Sequence, residues 1–323
     1  MNKPIAIIAG EPNSISSEII FKCWKLKKKY IHKPLFIIGS VQLLNLQMKQ
    51  LKYKIKIKKI NKHFKIRDLN EIGLPVYDID YTQKKPFEKI SSKSNKYIFR
   101  CFNEALKFFK EKKILGFVNC PVSKESLFKN KHKGVTEFLS HKVSKKNNEV
   151  MLIYNKKLSV SPITTHIPLS QVNKKINQHK IVKKVIIINN FYKKFFNKKP
   201  NFAILGLNPH NFSPSKKSEE IEIINKAVKN LIKLKIKAKG PISPDTSFMT
   251  FDKYKFDVII GMYHDQVLTP FKALFNFNAI NVTLGLPYIR TSPDHGTAEN
   301  IIGRQIANPK SLIESIKFFN FIK

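Results

Sequence analysis

Val258-Ile259-Ile260-Gly261-Met262-Tyr263-His264-Asp265 is the stretch from which the fold reads outward. It opens on apolar residues and glycine and turns polar at an imidazole followed by a carboxylate. An apolar run this short, without alternation, suits a strand covered on both faces, as in parallel sheets. The pattern recurs at Ile5–Ala9, Leu35–Ile38, Ile114–Val118, Val150–Tyr154, Val160–Thr165, Phe202–Leu207 and Ala279–Leu284. Longer amphipathic stretches predict helices over Glu18–Lys29, Ser94–Lys112, Leu169–Phe196 (as two helices), Ser218–Leu234 and Pro309–Phe319. Strands alternating with helices predict an α/β fold with largely parallel sheets. A chain of 323 residues suggests about two domains, although no repeat or Gly/Ser linker marks a boundary.

The segment around this strand, Phe256 to Asn300, nearly escapes the bias of the chain. The protein has 56 Lys and 4 Arg, yet only Lys272 and Arg290 occur here, against Asp257, Asp265, Asp294 and Glu299. A stretch that resists the bulk composition is held by chemistry or by tight geometry. Its two remaining cations are candidate anion ligands, and Arg290 offers a planar fork for a carboxylate or phosphate.

The net charge of +38 raises a nucleic-acid reading, since clustered cations bind phosphate backbones. The lysines are spread along the chain and accompany heavy Ile, Asn and Phe usage, which reads as drift toward A/T-rich codons; no specific nucleic-acid partner is expected. Cys23, Cys101 and Cys120 have no paired spacing, which fits a reducing cytosol and a cytoplasmic protein. The apolar run Ile5–Ala9 is too short for a signal-peptide core, and no run approaches the roughly 20 residues of a membrane span.

Three of the nine histidines share one context. His166, His210 and His264 each follow a predicted strand, and ligands of parallel α/β sheets sit beyond strand carboxyl ends. Three imidazoles delivered there can meet around one divalent metal, better suited to Zn or Co than to Mg alone. The alternative is that each imidazole only caps its strand or bonds to backbone. Asp265, directly after His264, and Asp245 are candidates for a general base beside a metal-bound alcohol; turn capping is the competing role for Asp245. No G-x-G-x-x-G occurs, so the residues themselves indicate no nicotinamide cofactor.

A family resemblance adds to this reading. Gly261-Met262-Tyr263-His264-Asp265-Gln266, Asn281-Val282-Thr283-Leu284-Gly285-Leu286-Pro287-Tyr288-Ile289-Arg290-Thr291-Ser292 and Asp294-His295-Gly296-Thr297-Ala298 resemble the 4-hydroxythreonine-4-phosphate dehydrogenases of vitamin B6 biosynthesis. Gly10-Glu11-Pro12, Pro121-Val122-Ser123-Lys124, Thr165-His166-Ile167-Pro168-Leu169, Gly206-Leu207-Asn208-Pro209-His210, Gly240-Pro241 and Asp245-Thr246 follow the same family in order. The segment from His295 to Pro309 also resembles the cofactor loop of isopropylmalate and isocitrate dehydrogenases.

The resemblance implies a two-domain α/β/α sandwich, with a cofactor-side domain over about 1–122 plus 268–323 and a second over about 123–267. It implies a homodimer with a shared active site and a divalent cation (Zn, Mg or Co) on His166, His210 and His264. Substrate contacts fall on Thr136, Lys272, Asn281 and Arg290; catalytic roles on Asp245, Asp265 and Lys272; and NAD or NADP contacts on Gly285, Asp294, His295, Gly296, Thr297 and Ala298. The implied reaction is oxidation of the C3 alcohol of 4-phosphooxy-L-threonine followed by decarboxylation to 3-amino-2-oxopropyl phosphate.

The chain departs from the family at three places. Asn13-Ser14-Ile15-Ser16-Ser17 replaces a glycine-rich continuation, Val135 stands where the family has His, and Asn211-Phe212-Ser213-Pro214-Ser215-Lys216-Lys217 replaces a small, Gly-rich loop. Two alternatives therefore stand beside the B6-pathway activity: a dehydrogenase of another phosphorylated four-carbon acid (4-phosphothreonate or phosphoerythronate), and a non-catalytic metabolite- or polyanion-binding relative.

Overall fold

The structure is a computed structural model in which residues 3–29, 32–70, 72–128, 134–143, 148–211 and 217–322 are described. The chain divides into two compact units, Met1–Leu139 with Pro287–Lys323, and Ser140–Leu286. Among the described residues the strands are β1 (Ile5–Ile8), β2 (Leu35–Gly39), β3 (Ile57–Ile60), β4 (Leu74–Asp78), β5 (Gly116–Asn119), β6 (Val150–Tyr154), β7 (Ser159–Pro162), β8 (Phe202–Leu205), β9 (Ala238–Ile242), β10 (Val258–Gly261), β11 (Ile280–Leu284) and β12 (Ile289–Pro293).

In the first unit the strand order is β3-β4-β2-β1-β5-β12, and every pairing is parallel. β1, β2 and β5 are buried along their whole length; β1 and β2 are unbroken apolar runs, and β5 is apolar up to its last residue, Asn119. The helix Asn95–Lys110 buries Tyr97, Ile98, Cys101, Phe102, Ala105, Leu106 and Phe108, a three- and four-residue spacing that forms one apolar stripe. Phe36, Phe108 and Tyr77 pack edge to face at its base. Each fully buried phenylalanine or isoleucine of this core contributes roughly 1.5–3 kcal/mol.

In the second unit the order is β11-β6-β7-β10-β8-β9. β7, β10, β8 and β9 run parallel, whereas β6 is antiparallel to both β7 and β11. The four residues from Asn155 to Leu158 are too few for a crossover helix, so β6 and β7 form a hairpin closed by Asn155 N donating to Leu158 O. The long predicted helix divides as expected, into Val172–Lys175 and Gln178–Phe196. Asn177 starts the second piece by accepting from Lys180 N, and Asn197 ends it in the left-handed region. No helix among the described residues is long and apolar enough to cross a membrane.

Candidate active site

The three histidines leave adjoining strands. β10 lies between β7 and β8, and His264, His166 and His210 follow the carboxyl ends of these strands in that same arrangement. The rings of His166 and His264 have centroids 5.8 Å apart. His166 (φ +48°) and His210 (φ +53°) both occupy the left-handed region, which non-glycine residues adopt rarely. His264 opens the helix His264–Phe275.

Two of the histidines have carboxylate partners. Asp265 Oδ1 lies 2.7 Å from His264 Nδ1, and Asp245 Oδ2 lies 3.3 Å from His210 Nδ1. At His264 the Nδ1 hydrogen bond leaves Nε2 for another ligand, and the carboxylate selects the tautomer that presents it. Asp245 lies within ion-pair distance of His210. Asp245 also accepts from Ser243 Oγ at 2.6 Å and Thr246 N at 2.9 Å, so it serves turn capping as well. The Ser243 hydroxyl, with help from His210 and against desolvation, holds its carboxyl below the usual range.

Among the described residues no three His, Cys, Asp or Glu side chains are gathered closely enough to enclose a metal. The donor types are those a borderline divalent cation takes: imidazoles at three adjoining strand ends, with carboxylates beside two of them.

Strand exits are braced on either side of β10. Toward β7, Ile163 N donates to Gly261 O at 2.8 Å, and Thr164 donates to Met262 O through N at 3.1 Å and Oγ1 at 2.8 Å. Toward β8, Gln266 Oε1 accepts from Met262 N at 2.6 Å while its Nε2 donates to Gly206 O at 2.8 Å. The buried Glu220 holds the turn before His210, accepting from Leu207 N and Asn208 N, each at 2.9 Å. Burial raises its pKa, but these bonds and the Asn208 side chain outweigh burial and leave it lowered.

The other candidates in this unit are more dispersed. Lys272 is exposed, in the same helix as His264. Asn281 is half-buried on β11, and its Oδ1 is buried without a protein hydrogen bond. Gly285 has a backbone reason of its own: φ is +79°, and a Cβ would lie 1.9 Å from Asn148 O. The loop after His210 that departs from the family lies, at residues 212–216, outside the described residues.

The first unit holds the buried cation. Arg290 on β12 is 3% exposed; its Nε donates to Asn119 Oδ1 at 2.6 Å and its Nη1 to Thr136 Oγ1 at 3.4 Å. Thr136 and Arg290, predicted substrate contacts, are thus brought together. Burial pushes the Arg290 pKa down to about 10, with Tyr288 and Glu137 opposing, so it stays cationic at neutral pH. Val135, beside Thr136, is buried.

The candidate cofactor segment lies in the same unit. Ile15 N donates to Thr297 O at 3.2 Å, which joins the segment to the start of the helix Ser16–Lys25. That start is built without glycine: Ser14 Oγ donates to Glu11 O and accepts from Ser16 N. Gly10 (φ +78°) makes the preceding turn, where a Cβ would sit 2.5 Å from Pro121 O. Ala298 is left-handed at φ +50°, and His295 Nδ1 lies 3.1 Å from Gly296 O. The backbone N of Asp294 donates to Ser311 Oγ at 3.0 Å. Around a Cβ placed on Gly296 nothing lies within 4 Å.

Downstream, Lys22 Nζ donates to Gln305 O, Ala307 O and Glu18 Oε1, at 2.8, 2.7 and 2.7 Å. Glu18 Oε1 also accepts from Ala307 N at 2.8 Å.

Asn119, Gln266, Glu220, Glu18 and Lys22 escaped the sequence reading. The one local signal was Gln266, which closes the stretch from Gly261 quoted for the family.

Comparison with known proteins gives the family of the chain. The family model described as pyridoxal phosphate biosynthetic protein PdxA matches residues 31–319. The chain is 39% identical to the 4-hydroxythreonine-4-phosphate dehydrogenase of a Sulfurihydrogenibium species, over 99% of this chain and 98% of that one. It is 30% identical to a provisionally named D-threonate 4-phosphate dehydrogenase of Oceanobacillus iheyensis, over 97% of this chain and 96% of that one. The crystal structure of 4-hydroxythreonine-4-phosphate dehydrogenase from Klebsiella pneumoniae superposes with a TM-score of 0.84 at 30% identity, covering 98% of this chain and 96% of that one. With matches that run nearly end to end in both sequence and fold, the chain belongs to the PdxA family of pyridoxal phosphate biosynthetic proteins.

Proposed function

We propose that the chain is a metal-assisted, NAD- or NADP-dependent 4-hydroxythreonine-4-phosphate dehydrogenase. It oxidises the C3 alcohol of 4-phosphooxy-L-threonine to a ketone, and the resulting β-keto acid loses CO2 to leave 3-amino-2-oxopropyl phosphate. The observation that carries this reading is the delivery of three imidazoles from adjoining strand ends in a chain of this family.

His166, His210 and His264 would hold the divalent cation, Zn, Co or Mg. When bound, it supplies Lewis acidity toward an alcohol or ketone oxygen, and the dinucleotide accepts the hydride. Asp265 and Asp245 orient two of the imidazoles and are the nearby candidates for receiving the alcohol proton. Arg290, with Thr136, offers a desolvated cation and a hydroxyl to the substrate anion. In the second unit, Lys272 and Asn281 are further candidate substrate contacts. The segment 294–298 is the candidate dinucleotide contact of the first unit, and Gly285 is a candidate in the second. A homodimer with a shared active site, in the cytoplasm, completes the proposal.

A second reading is favoured by Val135 and by the relative named for D-threonate 4-phosphate. An isopropyl group beside Thr136 offers no hydrogen bond, and losing one such polar contact costs about 1–3 kcal/mol. The decisive assay follows NADH or NADPH formation from 4-phosphooxy-L-threonine and from 4-phosphothreonate, with and without a chelator. Dinucleotide reduction with the first substrate, stopped by chelation and by His264→Ala, is the expected result. Turnover with 4-phosphothreonate alone selects the second reading, and no turnover by folded, metal-supplemented protein overturns both in favour of a binding role.

A further inference from the structure

We propose that Gln266 is a positioning residue for the metal site, fixing the spacing between His264 and His210; this rests on the metal reading above. Parallel pairing of β10 with β8 runs from Val258↔Phe202 to Ile260↔Ile204 and stops there. On the other flank the exit of β7 stays tied to β10 through backbone bonds as far as Thr164, two residues before His166. His166 and His264 are therefore registered by main chain, whereas His210 and His264 are not. The Gln266 amide fills the gap. It accepts from Met262 N at 2.6 Å and donates to Gly206 O at 2.8 Å, doing the work of one more peptide in the ladder.

The task needs a donor and an acceptor on one side chain of this length, which among the standard residues means Gln. The amide is also packed tightly: a Cβ on Gly261 would come within 2.9 Å of Gln266 Oε1. Glu220 completes the arrangement by holding the N–H groups of Leu207 and Asn208, so the chain between Gly206 and His210 has little freedom left. A shift of β8's exit relative to β10's would thus pass directly into the separation of the two imidazoles.

The test uses full-length protein stripped with chelator, as wild type, Gln266→Met and Gln266→Glu. Met removes both bonds; Glu keeps the acceptor facing Met262 and loses the donor to Gly206, which guards against a variant that fails to fold. Co2+ is titrated by calorimetry and by its visible absorption, and the metal-free melting temperature is recorded. The expected result is a fall in Co2+ affinity of about 10–100-fold in both variants, with an altered visible spectrum. Wild-type affinity and spectrum in both variants overturn the proposal, and so does a lowered melting temperature with unchanged affinity, which would make Gln266 a strut only. Wild-type protein that binds no Co2+ overturns the metal reading instead.

Discussion

The guanidinium of Arg290 donates through Nε to Oδ1 of Asn119 at 2.6 Å, although the two residues lie 171 positions apart in the chain. Both are almost sealed from solvent, so the cation is desolvated yet fixed in direction. Such a group binds an anion more strongly than a mobile surface lysine does, because less hydration and less rotamer freedom remain to be lost. Arg290→Met is expected to raise KM for the phosphorylated substrate about 10–100-fold, the equivalent of one charged hydrogen bond at roughly 1.5–3 kcal/mol. Arg290→Lys should recover little, since an ammonium has no planar fork. Asn119→Leu should raise KM by a smaller factor. Steady-state kinetics of the three variants check the order.

Glu11 gives a pH-dependent prediction. Burial raises its pKa above the usual carboxylate value, and bonds from Asn13 N and the Ser94 hydroxyl only partly offset this. A carboxyl raised in the folded state contributes stability that is full below its unfolded pKa and is lost as pH rises through the folded one. At neutral pH the buried charge therefore weighs against folding. Glu11→Gln keeps an acceptor for both donors and should raise the melting temperature by a few degrees at pH 7. The gain should shrink toward pH 4. Calorimetry between pH 4 and pH 8 measures it, and a gain independent of pH would contradict the assignment.

The triple contact of Lys22 with Glu18, Gln305 O and Ala307 O makes one side chain responsible for a stretch nearly three hundred residues away. Lys22→Met leaves the Glu18 carboxylate, 1% exposed, with only Ala307 N on its bonded oxygen. The expected loss is roughly 1–3 kcal/mol in urea unfolding. Amide exchange should accelerate over 303–309 more than in β1 or β5, because the segment loses two carbonyl anchors.

What the sequence made legible follows from physics that is local in the chain. β1, β2, β5, β8 and β10 were readable because strands buried on both faces must be unbroken apolar runs. β3 escaped because Lys58 and Lys59 interrupt a partly exposed strand, and β12 because Arg290, Thr291 and Ser292 put buried polar groups where an apolar run was sought. The helix His264–Phe275 escaped as well; Pro270 inside it breaks the pattern that marks a helix. The histidines stood out as candidates because each lies just beyond a readable strand. Their supporting residues could not. Asn119, Gln266 and Glu220 are single polar residues whose partners come from other elements, and only the fold pairs them.

Two glycines separate backbone demand from ligand demand. Gly10→Ala must place a methyl 2.5 Å from Pro121 O at φ +78°, so the turn has to move, and a loss of about 1–3 kcal/mol is expected whatever is bound. Gly296→Ala meets nothing within 4 Å, so its effect on unfolding should stay within about 0.5 kcal/mol. If the open space beside Gly296 receives the dinucleotide, the same methyl should weaken NADH or NADPH binding about tenfold while leaving Co2+ affinity unchanged. Fluorescence titration of the reduced cofactor against both variants and wild type makes the comparison. Equal cofactor affinity in Gly296→Ala and wild type would remove the segment 294–298 from the cofactor site.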